Sequence, residues 1–165
     1  MAEGKKAKEE VQLVAFRLRD EEFGVEIGQV REIVRITPIT HVPEAPAFIE
    51  GVINLRGQVL AVIDLAKQFG LPPEEKLPAT ARVVVVELQG RTVGMLVDEV
   101  PEVLRIPKEN IEPTPDLIQS KIHKDYIKGV GKLGNRLLIL LDLEKILSQH
   151  EVVQLEKVSA QPEVG

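Results

Sequence analysis

Gly51-Val52-Ile53-Asn54-Leu55-Arg56-Gly57-Gln58-Val59-Leu60-Ala61-Val62-Ile63-Asp64-Leu65-Ala66-Lys67-Gln68-Phe69-Gly70 decides the fold. It reads as strand, tight turn, strand, then a turn or two of helix. Arg56-Gly57 interrupts two apolar runs where the backbone must reverse, and glycine takes positive φ there without steric cost. Val59, Ala61 and Ile63 face one way, Leu60 and Val62 the other. Both faces are apolar, as in a strand covered on both sides. Asp64 stands where a helix N-cap is expected.

The pattern returns. Gly129 to Ser148 aligns without gaps on Gly51 to Gly70, with 7 of 20 positions identical, where background composition gives about one. Upstream, Gly24 to Ile36 aligns on Gly94 to Ile106, with 5 of 13 identical. The offsets are 70 and 78, so the second copy carries eight extra residues between its parts. The chain is therefore read as two related β-rich halves. Two copies are too few for a solenoid; two similar subdomains packed together are expected.

Working outward, Val11 to Arg19 and Phe23 to Ile27 read as a hairpin across Asp20-Glu21-Glu22, with Val14, Phe16 and Leu18 inward. Gly28 to Arg31 reads as a short helical turn and Glu32 to Ile36 as a strand. Pro38, Pro43 and Pro46 make Thr37 to Pro46 an extended connection, and Ala47 to Glu50 could form one helical turn. Pro72, Pro73 and Pro78 mark a linker at residues 70–79. Arg82 to Leu88, Thr92 to Val97, Val100 to Ile106, Tyr126 to Leu133 and Arg136 to Leu141 read as strands, with a long polar connection from Pro107 to Lys124. A helix is expected from Asp142 to about Lys157. Short strands with frequent turns indicate mainly β structure: two small barrels, roughly 11–69 and 80–147. Residues 1–10 and the end of 148–165 are expected to be tails.

Composition narrows the function. Aromatics are 3%, so the core must be built from Val, Ile and Leu, and the net charge of −5 argues against nucleic acid, which needs a basic stripe. Anionic membrane surfaces gain no attraction either. The absence of cysteine removes disulfides, thiol nucleophiles and thiolate metal sites, and suits a reducing compartment. Met1 to Glu10 has no apolar core and is not read as a signal peptide. No apolar run reaches the length of a membrane span.

Catalytic signals are weak. His41, His123 and His150 lack metal-pair spacing, and no phosphate loop or nucleophile elbow stands at a strand-to-helix junction. Asp64 and Asp142 occupy equivalent places and could act as paired carboxylates. Capping the following helix, at about 1 kcal/mol each, is the stronger reading. Glu32 and Arg56 are a more informative pair. The second copy keeps the acid as Glu102 but has Gly134 opposite Arg56, so the hairpin does not require that arginine. Arg56 is either a solvated charge or a recognition residue, since arginine is enriched at interfaces.

Phe48-Ile49-Glu50-Gly51-Val52-Ile53-Asn54-Leu55-Arg56-Gly57 followed by Val62-Ile63-Asp64-Leu65 resembles the signature of the CheW family of bacterial chemotaxis coupling proteins. Phe23 to Ile27, Val30 to Ile33, Val93 to Asp98 and Leu138 to Leu143 fit the same family, and the resemblance spans about Val11 to Leu147. It implies two five-stranded SH3-like barrels around a shared hydrophobic centre, and an adaptor with no catalytic, cofactor or metal site. Such adaptors join the cytoplasmic tips of methyl-accepting receptors to the regulatory domain of the histidine kinase CheA, and further copies join in rings. The implied location is the cytoplasm, with recruitment to membrane receptor arrays. Carried over residue by residue, the receptor groove involves Val30, Glu32, Ile33, Arg56 and Val103, with a Glu32–Arg56 salt bridge. Gly57, Ala81, Arg82 and Val83 are weaker candidates for kinase contact, and Ala81-Arg82 departs from the family's usual residues there. A related pathway of gliding or pilus motility is the alternative, and a small β-barrel enzyme using Asp64 and Asp142 a more distant one. An apolar groove between barrels suits an amphipathic helix.

Overall fold

The computed structural model describes residues 9–74, 76–113 and 124–160. The expected tails at 1–8 and 161–165, most of the long connection after Pro107, and His123 lie outside them. In chain order the elements are β1 (Glu10–Leu18), β2 (Glu21–Glu26), β3 (Val30–Arg35), β4 (Ile49–Leu55), β5 (Gln58–Asp64) and α1 (Leu65–Gln68). There follow β6 (Arg82–Leu88), β7 (Arg91–Val97), β8 (Glu99–Pro107), β9 (Ile111–Glu112), β10 (Ile127–Leu133), β11 (Arg136–Leu141) and α2 (Gln149–Ala160). The helical turn expected before β3 is a 3-10 turn, Ile27–Gln29. No helical turn forms ahead of β4: Ala47 and Phe48 make a simple turn and the strand begins at Ile49.

The strands form two sheets, in the orders β8-β1-β2-β11-β10-β9 and β3-β6-β7-β5-β4. Both sheets draw strands from either side of the linker expected at residues 70–79. The β1–β2 hairpin leaves the first half and pairs with β8 and β11 of the second, while β6–β7 pairs with β3 and β5 of the first. The halves have traded hairpins. Each trade is sealed by a parallel pairing, β2 with β11 and β7 with β5, which places the two copies in equivalent surroundings. The short β9 adds a sixth strand to one of the expected five-stranded units.

Two-sided burial explains the apolar runs. Leu60 and Val62 point into a small core with Ile53, Val83, Val85 and Leu96. Leu13, Ala15, Ile106, Leu138 and Leu140 form its counterpart in the other sheet. The opposite faces, including Val14, Phe16, Leu18, Phe23, Ala61, Ile63, Val84 and Met95, meet in a larger seam between the sheets. With few aromatics available, three of the four phenylalanines and the single tyrosine form a chain of ring contacts through this seam: Phe16 stacks on Phe23, Phe23 meets Phe69 at a tilt, and Phe69 stacks on Tyr126. No described charged or polar residue is buried, so the seam is held by apolar burial, which stabilises by about 25 cal/mol per Å².

The expected helix from Asp142 is broken in two. Leu143–Lys145 is a 3-10 turn. Its end is held by two glutamines: Gln68 Nε2 donates to the Ile146 carbonyl at 2.7 Å and Gln89 Nε2 to that of Glu144 at 3.0 Å. α2 then starts afresh on a capping box. Ser148 Oγ accepts from the Glu151 N–H at 3.1 Å, and Glu151 Oε1 accepts from the Ser148 N–H at 2.9 Å. α2 buries Val152, Leu155 and Val158 in the seam beside β4 and β5, closing one end of it.

Candidate functional site

Each sheet also presents an edge strand with a flank that meets the seam. β3 pairs with β6 and ends one sheet; β8 pairs with β1 and ends the other. The Ile27–Gln29 turn, which carries β2 into β3, touches β1 and β6, the strands just inside these edges. Directly opposed residues in an antiparallel pair share a face. Ile33 opposes Val84 and Val103 opposes Val14, and both partners belong to the seam. Ile33 and Val103 are nevertheless 37% and 49% exposed. They mark where the seam opens to solvent, with Val30 half-buried against its interior.

The β4–β5 turn supplies the rim. Arg56 and Gly57 have φ of 52° and 87°, the paired positive values of the two-residue turn that matches strand twist. Asn54 Oδ1 accepts from the Gly57 N–H at 2.8 Å and fixes the reversal. The turn delivers the Arg56 guanidinium to Glu32 on β3: Nη1 donates to Oε1 at 3.0 Å and Nη2 to Oε2. This two-point pair is geometrically stringent, and the arginine remains 70% exposed. Hydrogen bonding from Arg56 holds the Glu32 carboxyl below the usual carboxylate range, and the same bond raises the pKa of Arg56. Of the sequence-predicted receptor residues, the structure thus joins Glu32 to Arg56 and puts Val30, Ile33 and Val103 on the seam side of the edge strands.

The other quartet fares differently. Val83 has no exposure and Ala81 has 1%; Val83 Cγ1 packs inside its barrel, where a side chain on Gly94 would meet it. Both side chains are turned inward, so a partner at these two positions would meet backbone. The cause is position: β6 is an inner strand, flanked by β3 and β7. Gly57 is exposed, and Arg82 is half-buried with Nη1 on the Ala81 carbonyl at 2.8 Å.

Asp64 and Asp142 cap as expected. Asp64 Oδ1 accepts from the Lys67 N–H at 3.2 Å, and Asp142 Oδ1 from the Glu144 N–H at 3.1 Å. Their own N–H groups donate to equivalent carbonyls, Phe48 and Tyr126. Burial raises the Asp64 carboxyl above its ordinary value. Among the described residues no three His, Cys, Asp or Glu side chains gather as a metal site, and no helix is long and apolar enough to cross a membrane.

One functional-looking feature escaped the sequence reading. Glu102 does have an arginine. Arg136, two places beyond the glycine aligned with Arg56, sends Nη1 to Glu102 Oε2 at 3.0 Å. It also holds Glu22 through Nε and Nη2, at 3.2 and 2.9 Å. Gapless alignment hid the pair, because the arginine moved from the turn to the strand that leaves it. A cation immediately after Gly134-Asn135 was the available signal.

Comparison with known proteins agrees with this architecture. The family model described as CheW-like domain matches residues 12–151. A relative named "Probable chemotaxis protein CheW" in Rhizobium etli is 42% identical over 142 residues, covering 85% of this chain and 89% of that protein. The chemotaxis protein CheW of Klebsiella aerogenes is 36% identical over 151 residues, covering 90% and 88%. The crystal structure of scaffolding protein TtCheW from Thermoanaerobacter tengcongensis superposes with a TM-score of 0.79 at 35% identity, covering 87% of this chain and 96% of that one. Two seam-joined β units, a match running from β1 into α2, and relatives alike over nearly their full lengths lead to one assignment: the chain belongs to the CheW-like domain family.

Proposed function

We propose that this protein is a non-enzymatic chemotaxis adaptor that couples the helical tips of methyl-accepting receptors to the regulatory domain of the histidine kinase CheA. The observation that carries the reading is seam-side apolar exposure on two edge strands, Ile33 on β3 and Val103 on β8, with the two-point Glu32–Arg56 pair on β3. An exposed apolar strip with a charged rim fits an amphipathic helix, whose apolar stripe enters while its polar flank meets the rim. Val30, Glu32, Ile33, Arg56 and Val103 form the receptor face. The kinase face uses exposed backbone and turns, with Gly57 and Arg82 as its accessible members. The relatives named above are chemotaxis and scaffolding proteins, which supports the same reading. The protein works in the cytoplasm, drawn to receptor arrays, where repeated contacts with the kinase and with further copies build rings.

The test is capture of a purified receptor cytoplasmic fragment. Arg56→Ala keeps the fold, because the turn is fixed by Asn54 and Gly57. It is expected to weaken capture about tenfold, the scale of an interfacial arginine. Undiminished capture by Arg56→Ala and by Ile33→Lys together would remove this face from receptor binding.

A further inference from the structure

The linker ahead of β6 and the end of β3 enclose a cleft of about 370 Å³, with Arg35, Ile36, Leu77, Pro78, Ala79 and Arg82 in its lining. Two of these are cations on neighbouring strands. Arg35 on β3 directly opposes Arg82 on β6, and directly opposed residues share a face. Like charges so placed repel and weaken the pairing. The adjoining residues on that face are apolar: Val97 opposes Arg82 from β7, and the Ile33–Val84 pair stands two residues along the strands. Among the described residues no carboxylate lines the cleft, and no ion pair joins either arginine. Arg82 Nη1 donates to backbone carbonyls instead, Ala81 at 2.8 Å and Ala79 at 3.5 Å. Arg35 is exposed.

The internal duplication supplies the comparison. At the offset of 70, Arg35 corresponds to Arg105 and Arg82 to Gln12. Those two residues also stand directly opposite each other, on β8 and β1. The same place in the second barrel is therefore filled by one arginine and a neutral amide, and the architecture does not require the second cation. Two guanidinium groups side by side without a counter-charge select an anion, and their planar forks suit a carboxylate. Leu77 beside them is 48% exposed, and Ile36 and Pro78 extend the apolar wall. An inorganic anion gains nothing from that wall. A polypeptide with an apolar side chain next to its carboxylate uses both features.

We propose that this cleft receives an acidic side chain and its apolar neighbour from the regulatory domain of the kinase, with Arg35 and Arg82 as the specificity-determining pair. This rests on the kinase reading above, to which Arg82 belongs, and names the chemistry of that contact. Ala81-Arg82 departs from the residues usual in the family at this place, so the pair sorts partners by charge. A kinase that lacks the acid leaves two like charges facing each other uncompensated, and binds less well.

The experiment titrates the full chain against the purified regulatory domain of its kinase, at 50 mM and 500 mM NaCl, about 14 Å and 4 Å of screening length. Arg35→Gln and Arg82→Gln should each bind about two- to fivefold more weakly at low salt, the scale of a partly exposed charge contact, with the deficit shrinking at high salt. Arg82→Glu should lose more. Relief of the repulsion gives a second signature: Arg35→Gln should melt no lower than the parent, so that weaker binding accompanies undiminished stability. Weaker binding with a lower melt would mean a loosened β3 and overturns the proposal. If the parent captures the kinase domain and all three variants match it at both salt concentrations, the charge proposal fails and the kinase reading stands. If the parent does not capture it, both fail. Variants that keep kinase affinity but lose self-association in sedimentation would make the occupant a second copy of this chain. Variants that keep kinase affinity but lose a receptor fragment would place Arg35 with neighbouring Ile33, and either result overturns the proposal.

Discussion

Replacing Gly51 by alanine tests whether the connection ahead of β4 is locked by backbone geometry. Gly51 has φ of 155°, outside the range side chains adopt readily, and a Cβ there would sit 2.3 Å from the Thr40 carbonyl oxygen. It would also be 2.8 Å from Ile39 Cγ2. Backbone cannot rotate out of the way like a side chain. Thr40 must retreat, and its two bonds with Val52, at 2.8 and 2.9 Å, break or stretch. Two such bonds contribute about 1 kcal/mol each, and the strained φ costs about 1–3 kcal/mol, so the loss is about 3–5 kcal/mol. Gly129 is the internal control. Its Cβ would meet the Glu112 carbonyl at 2.8 Å, with no left-handed φ. There the pairing with the short β9 is the only casualty, and the cost is about 1–2 kcal/mol. Urea unfolding of both variants, read at constant m-value, measures the difference. A Gly51→Ala protein within 1 kcal/mol of the parent, or a Gly129→Ala protein more damaged than it, would refute the geometric argument.

Two further outcomes are expected. Burial raises Asp64 above its ordinary 3.8, so the folded state holds this proton more tightly and the stabilisation it gives is complete below that pH and lost as pH rises through the folded value. Asp64→Asn keeps a good cap without ionising, so its stability relative to the parent should improve between pH 4 and 7 in a series of urea melts, while Asp64→Ala loses about 1 kcal/mol; a flat Asn-minus-Asp difference across that range would contradict this. Ser148→Ala removes one side of the α2 capping box and should cost about 1 kcal/mol, seen as faster amide exchange at Val152 and Val153 with β-strand exchange unchanged.

Much of the fold was legible because burial leaves periodic marks. The alternation across Val59 to Ile63 correctly announced two apolar faces, one to the barrel core and one to the seam. The two aspartates announced their caps. The traded hairpins left no mark, because either half could complete the same barrel: the copies are alike, and their strands are interchangeable in pattern. Choosing between them is a matter of connection length and handedness, which composition does not record. Val83 shows a related limit. Four consecutive valines announce a buried strand but not whether that strand lies at an edge, and only at an edge could its flank meet a partner. The break at Ile146 to Ser148 was invisible for another reason. It is enforced by Gln68 and Gln89, remote in sequence, which claim carbonyls that a continuous helix would have used. The Ser148-to-Glu151 spacing was readable but lay inside an apolar pattern that looked unbroken.

The traded hairpins also govern the order in which the molecule can come into being. β1 waits for β8, and β5 for β7, so a chain emerging from the ribosome cannot finish either barrel from its leading half. Leu13 finds Leu104 only after most of the polypeptide has been made. Pairings so distant in sequence make assembly slow, and until then the early strands stand with open edges. A truncated product should therefore be sticky and short-lived, never a smaller working adaptor.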